Sequence, residues 1–472
     1  MADRAAHLFA SAGNSLPVIP PARLSGTSPE DIVEAIARQI VHPGDDSFPW
    51  CDPGAGWRVN AALQPIFSLA HNRCVGFEGL ARPAFQGQAV APGHLFSSSA
   101  DLQSTRDWDR RCRYLHMQTF SRICRNDHWL FFNLNPSIIT DVQQAGARVT
   151  RAMLQAAGLP PHQMVVEILE KALGDEAALR RVIDCHRELG CLVAIDDFGA
   201  GESNFDRIWK LKPDIVKLDG SILAHAAENT RAARILPGMV ALLHEVGCLV
   251  LLEGIETTEQ ALLAMDADVD LVQGFLFASP QNDATALATA LRQSREHIPG
   301  LRARFNDGAL QEFRGVMGEI SRYLLPFREW SDCGTSGADM ALLSDACARL
   351  LALPGVRRCF VLNRQGRQEG ENRDSPQSAL PRQYLPLGQS GDSDWSRRDY
   401  FRRALFRPGE VQVTGPYLSL PDARPCVTLS RATEGPQREG LVFCCDLDWQ
   451  RSARWITGSL GTEPLRAWDT LG

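Results

Sequence analysis

Lysine is almost missing from this chain. It occurs only at Lys171, Lys210, Lys212 and Lys217, and arginine supplies the rest of the 49 basic residues. A bias in genomic base composition accounts for such a skew by itself. Long apolar runs are missing too. No stretch approaches the ~18 uninterrupted apolar residues of a membrane-spanning helix; the best candidate, Met239–Ile255, contains His244, Glu245 and Glu253. The start of the chain lacks the basic and apolar regions of an export signal, so a cytoplasmic location is expected. Excess positive charge is also lacking. With 49 basic against 56 acidic residues and a net charge of −7, a sequence-independent binder of polymeric nucleic acid is excluded. The 13 cysteines form no Cys-x-x-Cys pair, which favours reduced, mostly buried thiols over a disulfide framework. The 11 histidines stop at His297 and show no zinc-type spacing.

What is present suits about two to four globular domains in 472 residues. Hydrophobic residues make up 44% and charged residues 22%, enough apolar material for real cores. Residues 1–57 are proline-rich punctuation around one helix. There Ser28 suits the N-cap, Pro29 the first helical position, and Ile32, Ile36 and Ile40 share a face. This extension is expected to dock rather than to form a domain. Between residues 58 and 294, short apolar runs alternate with helical stretches. The runs are Leu63–Ala70, Arg73–Leu80, Trp129–Leu134, Met164–Ile168, Leu192–Ile195, Asp214–Leu218, Leu249–Leu252 and Asp270–Val272. This pattern fits a β/α barrel or an open doubly wound sheet, and favours the barrel. Only Ala70, His71 and Asn72 join the first two runs, so one strand is expected to run antiparallel. A linker is expected at Glu296–Gly308, within a connecting segment 295–330. A second, α+β domain is expected over 331–472, with helices at Ala309–Trp330 and Ala338–Leu353 leading into it. Its strands are expected at Arg358–Asn363, Glu410–Thr414, Cys426–Ser430 and Leu441–Asp446.

The strand ends of the first domain carry an unusual set. Glu78, Asn133, Glu167, Asp196 with Asp197, Lys217, Glu253 and Gln273 end or nearly end the second to eighth runs. In a β/α barrel they would ring one face, where barrel enzymes keep their sites. Singly, each has an ordinary role: a helix cap, a turn, a surface charge. Together, a ring of carboxylates around one amine is an improbable core unless cations compensate it. Oxygen ligands point to magnesium or manganese. The same constellation suits phosphodiester hydrolysis with two cations. Glu253 is then the candidate general base, and Lys217 neutralises developing charge or positions the water.

These residues stand in segments that resemble the EAL domain of bacterial cyclic di-GMP phosphodiesterases across about residues 58–294. Gln64, Pro65 and Ile66 match the opening strand. Glu78, Leu80 and Arg82 match E-A/G-L-x-R, with Gly79 in the less typical central place. Asn133–Ser137, Glu167 with Glu170, Asp196–Gly201, Lys217–Asp219, Glu253–Thr257 and Gln273–Phe275 match the remaining motifs in order. The resemblance implies an α/β fold, an EAL-type (β/α)8 TIM-like barrel with one antiparallel strand. It implies hydrolysis of cyclic di-GMP to linear pGpG with two Mg2+ or Mn2+ ions. It makes Glu78, Asn133, Glu167, Asp196 and Asp197 metal ligands. It makes Lys217 and Glu253 catalytic, and Glu170 the residue that steadies the loop after Asp197. Gln64, Leu80, Arg82, Asp219 and Gln273 are implied to contact the dinucleotide, with Glu256 a further support. Glu202 departs from the family's usual tyrosine, and Leu252 from its usual alanine.

The C-terminal segment around Asp399–Arg403, Gly409–Ser419 and Cys426–Ala432 is similar to PAS-like or Cache-like sensor domains. That similarity implies a small-molecule ligand of unknown identity; Tyr400, Phe401 and Tyr417 are equally suited to an ordinary core. Leu310, Phe313, Met317, Ile320 and Leu324 form a stripe suited to a core face, a connector or a dimer seam. A homodimer is expected. The rival to a regulated phosphodiesterase is a non-catalytic cyclic di-GMP receptor. Receptors of that kind lose a ligand, the lysine or the base, and this chain keeps all of them.

Overall fold

A computed structural model describes residues 23–24, 28–41, 49–52, 56–97, 101–124, 127–134, 145–169, 176–201, 205–228, 230–335, 340–377, 390–391, 393–420, 424–433, 441–449 and 458–460. The chain divides into two compact units, Met1–Phe305 and Asn306–Gly472. No helix among the described residues is long and apolar enough to cross a membrane. Among the described residues no cysteine takes part in a disulfide.

The first unit is the alternating barrel. Its strands are β2 (Trp57–Ser68), β3 (Arg73–Phe85), β5 (Trp129–Asn133), β6 (Met164–Leu169), β7 (Leu192–Phe198), β8 (Ile215–Leu218), β9 (Leu249–Leu252) and β10 (Leu271–Val272). They follow one another in the order β2-β10-β9-β8-β7-β6-β5-β3, and the β2–β3 pairing closes the ring. β2 is antiparallel to both neighbours, as the short Ala70–Asn72 connection requires. Short edge strands β1 (Trp50–Asp52) and β4 (Gln88–Ala89) extend β2 and β3. The N-terminal helix α1 (Pro29–Ala37) has the expected Ser28 cap, completed into a capping box by Asp31. Val33 and Ile36 join the unit's core, so this helix packs against the barrel unit. Its Ile40 lies just beyond the helix, paired with Trp50.

The barrel interior explains where the polar ring comes from. Phe131, Val165, Ala194, Ile215, Leu251 and Leu271 pack together in one apolar layer. Side chains on a strand alternate with period two. Two residues further along each strand path, on the same inward side, stand Asn133, Glu167, Asp196, Lys217, Glu253 and Gln273. Ile66 joins the apolar layer; because β2 runs the other way, its polar partner is Gln64, two residues earlier. The hydrophobic plug below thus fixes the polar mouth above.

Glu296–Gly308 is helical rather than extended: it lies within α9 (Ala284–Thr335), a helix of 52 residues, and the division between the two units falls inside it. Pro299, Gly300 and Gly308 read as breakers in sequence. In the fold, Ile298 and Leu301 are buried in the first unit's core, and Arg302 donates to the carbonyl of Leu69. Tertiary packing outweighs weak local propensity there.

In the second unit, α10 (Met340–Leu351) and the later turns of α9 back a six-stranded sheet. Its strands are β11 (Val356–Leu362), β12 (Arg373–Asp374), β13 (Val411–Leu418), β14 (Pro425–Ala432), β15 (Val442–Asp448) and β16 (Gly458–Leu460). Every pairing is antiparallel, in the order β12-β11-β15-β14-β13-β16. On the α9 stripe, Ile320 is buried with Val316, Phe327 and Trp330, Leu324 packs against them, and Leu310 is exposed. The side chains of Phe313 and Met317 lie outside the described residues. Tyr400 and Phe401, on α11 (Asp399–Phe406), are buried, with Tyr417 packed beside them.

Candidate active site

Lys217 stands at the centre of the barrel mouth, 1% exposed. Its Nζ lies 2.5 Å from Glu167 Oε1, 2.5 Å from Glu253 Oε1, 2.9 Å from Asp196 Oδ1 and 3.7 Å from Glu78 Oε1. Two amides complete the ring. Asn133 Nδ2 donates to Glu167 Oε2 at 3.0 Å, and Gln273 Nε2 donates to Glu78 Oε2 at 2.8 Å. Gln273 reaches so far because Gly274 lets its strand end pass close to the loop after β9. A Cβ on Gly274 would lie 2.1 Å from the carbonyl oxygen of Ile255.

Asp197 projects differently. It takes a left-handed backbone, φ 58°, which aspartate tolerates better than most residues. Its N–H donates to Asp196 Oδ1 at 3.0 Å. One carboxylate oxygen from each of Asp196, Asp197 and Glu253 lies within 4.8 Å of the others.

The electrostatics are out of balance. Five carboxylates (Glu78, Glu167, Asp196, Asp197 and Glu253) face one ammonium. Burial opposes the charge on Lys217, but Asp196, Glu167 and Glu253 hold it well above the ordinary lysine range. Burial pushes Glu167 well above the ordinary carboxylate range despite Lys217 beside it, with Glu78, Asp196 and Glu253 adding to the push. Burial likewise raises Glu253 to about 8, and burial with Asp196 raises Asp197. Carboxylates crowded this way lack countercharge. All the donors are oxygens, at the end of a rigid barrel, with no imidazole or thiolate among them. This set fits hard divalent cations such as Mg2+ or Mn2+.

The remaining expected residues sit around this ring. Gln64 pairs in register with Glu78, and its Nε2 donates to Ala278 O at 3.4 Å. Leu80 and Arg82 follow Glu78 on β3 at the same pleat phase. Arg82 is exposed, and its Nη1 donates to Ala81 O at 3.0 Å. Asp219 caps the next turn, accepting the Ser221 N–H at 2.9 Å. Glu256 is exposed, and its N–H donates to Gln260 Oε1 at 2.7 Å. Among the described residues, no hydrogen bond or ion pair joins Arg82, Asp219 or Glu256 to the ring. Glu170 and Glu202 lie outside the described residues. His116 carries no sequence signal, yet it packs directly beneath Gly79.

The closed β/α barrel ends in an acidic, lysine-centred mouth whose oxygen donors suit divalent cations. Residues 57–280 match the model of the EAL domain, and the barrel is of the EAL type. A protein of Azorhizobium caulinodans is 34% identical over 240 residues, 48% of this chain and 32% of that one. The cyclic di-GMP phosphodiesterase RocR of Pseudomonas aeruginosa is 32% identical over 153 residues, 32% of this chain and 38% of RocR. The chain spans about a third of the length of the curated relatives it matches. The Bacillus subtilis YkuI protein, crystallised with substrate c-di-GMP and calcium, shares the fold. Its TM-score is 0.69 at 19% identity, over 83% of this chain and 96% of that one.

Proposed function

We propose that this protein hydrolyses one phosphodiester of cyclic di-GMP, giving linear pGpG, and that its C-terminal PAS- or Cache-like unit regulates the reaction. The observation that carries the reading is the complete ring: Lys217 held among Glu167, Asp196 and Glu253, with Glu78, Asn133 and Gln273 closing it. RocR, matched at 32% identity, is a cyclic di-GMP phosphodiesterase, and YkuI was crystallised with c-di-GMP as substrate.

Glu78, Asn133, Glu167 and Asp196 would hold one divalent cation, and Asp196 with Asp197 a second. When bound, the cations supply Lewis-acid stabilisation of charge on the phosphodiester oxygens. The chain's own residues do the rest. Glu253, its carboxyl raised by burial, accepts the proton of the attacking water. Lys217 Nζ, charged and buried, holds that water in place and offsets the negative charge that builds up at phosphorus. Gln273 and Asn133 orient Glu78 and Glu167 through their amide donors. Arg82, exposed at the rim, is placed to grip a phosphate with its guanidinium fork. Gln64, Leu80, Asp219 and Glu256 are the further residues proposed to contact the dinucleotide.

The test is chromatography of cyclic di-GMP incubated with the purified full chain. Conversion to pGpG with Mg2+ or Mn2+, stopped by chelator, supports the reading. Tight binding without product under either cation would make the protein a receptor instead.

A further inference from the structure

β2 and β3 run on past the ring as a two-stranded ribbon, on the side away from the apolar layer. Their register pairs Gln64 with Glu78, Asn60 with Arg82 and Arg58 with Ala84. Side chains on a strand alternate with period two. These residues therefore share the face that carries Gln64 and Glu78 into the ring. The opposite face is occupied: Trp57, Val59 and Leu63 of β2, with Phe77 and Phe85 of β3, belong to the unit's apolar core.

Beyond the ring, the ring-side face of the paired strands holds two cations, Arg58 and Arg82, and no carboxylate. Asn60 stands directly across from Arg82, and facing residues of an antiparallel pair have their Cβ atoms about 4.5–5.5 Å apart. Both members of this pair are only partly used. Asn60 Oδ1 is closed to solvent and has no hydrogen-bond partner among the described residues. Arg82 donates from Nη1 to the carbonyl of its own neighbour Ala81 at 3.0 Å, and a guanidinium has five donors to give. A buried acceptor without a donor costs stability. The nearest cation across the strand pair can supply that donor by a change of side-chain rotamer alone.

We infer that Asn60 is the positioning residue for Arg82. With a phosphate of the dinucleotide bound, Arg82 exchanges the Ala81 carbonyl for Asn60 Oδ1, and the amide holds the guanidinium plane while its outer edge donates to the phosphate oxygens. A long arginine loses rotamer freedom when it grips an anion. An acceptor fixed on the facing strand restricts that freedom in the useful direction. The amide does this without charge, whereas a carboxylate at the same place would repel the phosphate. Asn60 acts through Arg82 and touches no reacting atom, so it governs binding rather than the chemical step. The inference deepens the phosphodiesterase reading and rests on it.

The test combines two measurements on the full chain. Titration calorimetry with cyclic di-GMP and Ca2+, the ion of the YkuI crystal, reads binding; turnover with Mn2+ reads KM and kcat. Asn60→Leu keeps the size of the side chain and removes the acceptor. It should weaken binding and raise KM about tenfold while kcat stays within about twofold. Arg82→Ala should weaken binding further, and adding Asn60→Leu to it should change nothing more. Should Asn60→Leu fail to fold, Asn60→Val takes its place in both backgrounds. Parental affinity in the folded Asn60 variant, additive losses in the double variant, or a loss confined to kcat would overturn the inference alone. A parent chain that neither binds nor hydrolyses cyclic di-GMP would overturn the phosphodiesterase reading, and this inference with it.

Discussion

Gly79→Ala is the most revealing single change in the barrel, because its expected sign is set by one neighbour. In an open strand, replacing glycine by alanine would stabilise by about 0.5–1 kcal/mol through lost backbone entropy. At position 79 the new Cβ would lie 2.7 Å from His116 Cγ and 2.8 Å from its Nδ1. Ordinary contact begins at 3.4 Å, so the atoms must part by about 0.7 Å. The His116 ring has nowhere to go. It is 5% exposed, and burial, with Arg82 nearby, drives its pKa down to about 3, so it packs as a neutral ring. Overpacking of this kind costs about 1–3 kcal/mol and outweighs the entropic gain. Gly79→Ala should therefore destabilise the barrel by about 1–2 kcal/mol. It should also disturb Glu78, its neighbour in the ring, where a displacement of ~1 Å costs up to ~10²-fold in rate. In a His116→Ala background the methyl fills vacated space, so the same change should stabilise and turnover should partly return. The assay is a double-mutant cycle, read by the urea midpoint of the barrel transition and by cyclic di-GMP turnover. A coupling of about 2 kcal/mol is expected. Additive effects, or a Gly79→Ala variant as stable as the parent, would refute the reasoning.

Other outcomes follow from the ring and its surroundings. Lys217→Arg keeps the charge but not the size. With Glu167 and Glu253 both 2.5 Å from Nζ, the wider fork cannot fit, and kcat should fall at least ~10²-fold; a parental rate would remove the role given to the ammonium. Glu253 has its folded pKa raised from 4.5 to about 8, so the folded state holds a proton that the unfolded state releases. The stability this gives is full below 4.5 and is lost as pH rises toward 8. Chelated protein should therefore melt at lower temperature as pH rises through that window, and Mn2+ should flatten the trend; a flat melting profile in chelator would contradict it. His186 titrates the other way: burial lowers its pKa from 6.5 to about 4. Its stabilisation is present above 6.5 and disappears as pH falls through 4, and His186→Gln should reduce this acid sensitivity in thermal melts.

Most of the barrel is legible in the sequence because each strand is short, apolar and followed by a helix, a pattern with few alternatives. The ring is legible for a physical reason as well. A charged residue two positions after a buried apolar one, on strand after strand, can only gather at one end of a barrel. What the sequence hides is contact between distant segments. The Gln273 to Glu78 hydrogen bond joins residues 195 apart. His116 under Gly79 has no motif of its own, only the place where its helix packs on β3. The helix through Glu296–Gly308 is held by Ile298 and Leu301 in the core, against what Pro299 and Gly300 suggest locally. In the second unit, Thr414 and Ser419 hydroxyls without a partner among the described residues emerge only once the strands carrying them are folded. Lysine scarcity gains meaning too: where arginine is the default cation, the compact ammonium of Lys217 sits among three carboxylates within 2.9 Å.

The most direct test of the central claim is hydrolysis in heavy-oxygen water. Cyclic di-GMP and Mn2+ are incubated with the full chain, and the product is weighed by mass spectrometry beside a Glu253→Gln control. The account predicts pGpG carrying one heavy oxygen in its terminal phosphate, and none from the control. Intact cyclic di-GMP, or equal product from Glu253→Gln, would contradict it.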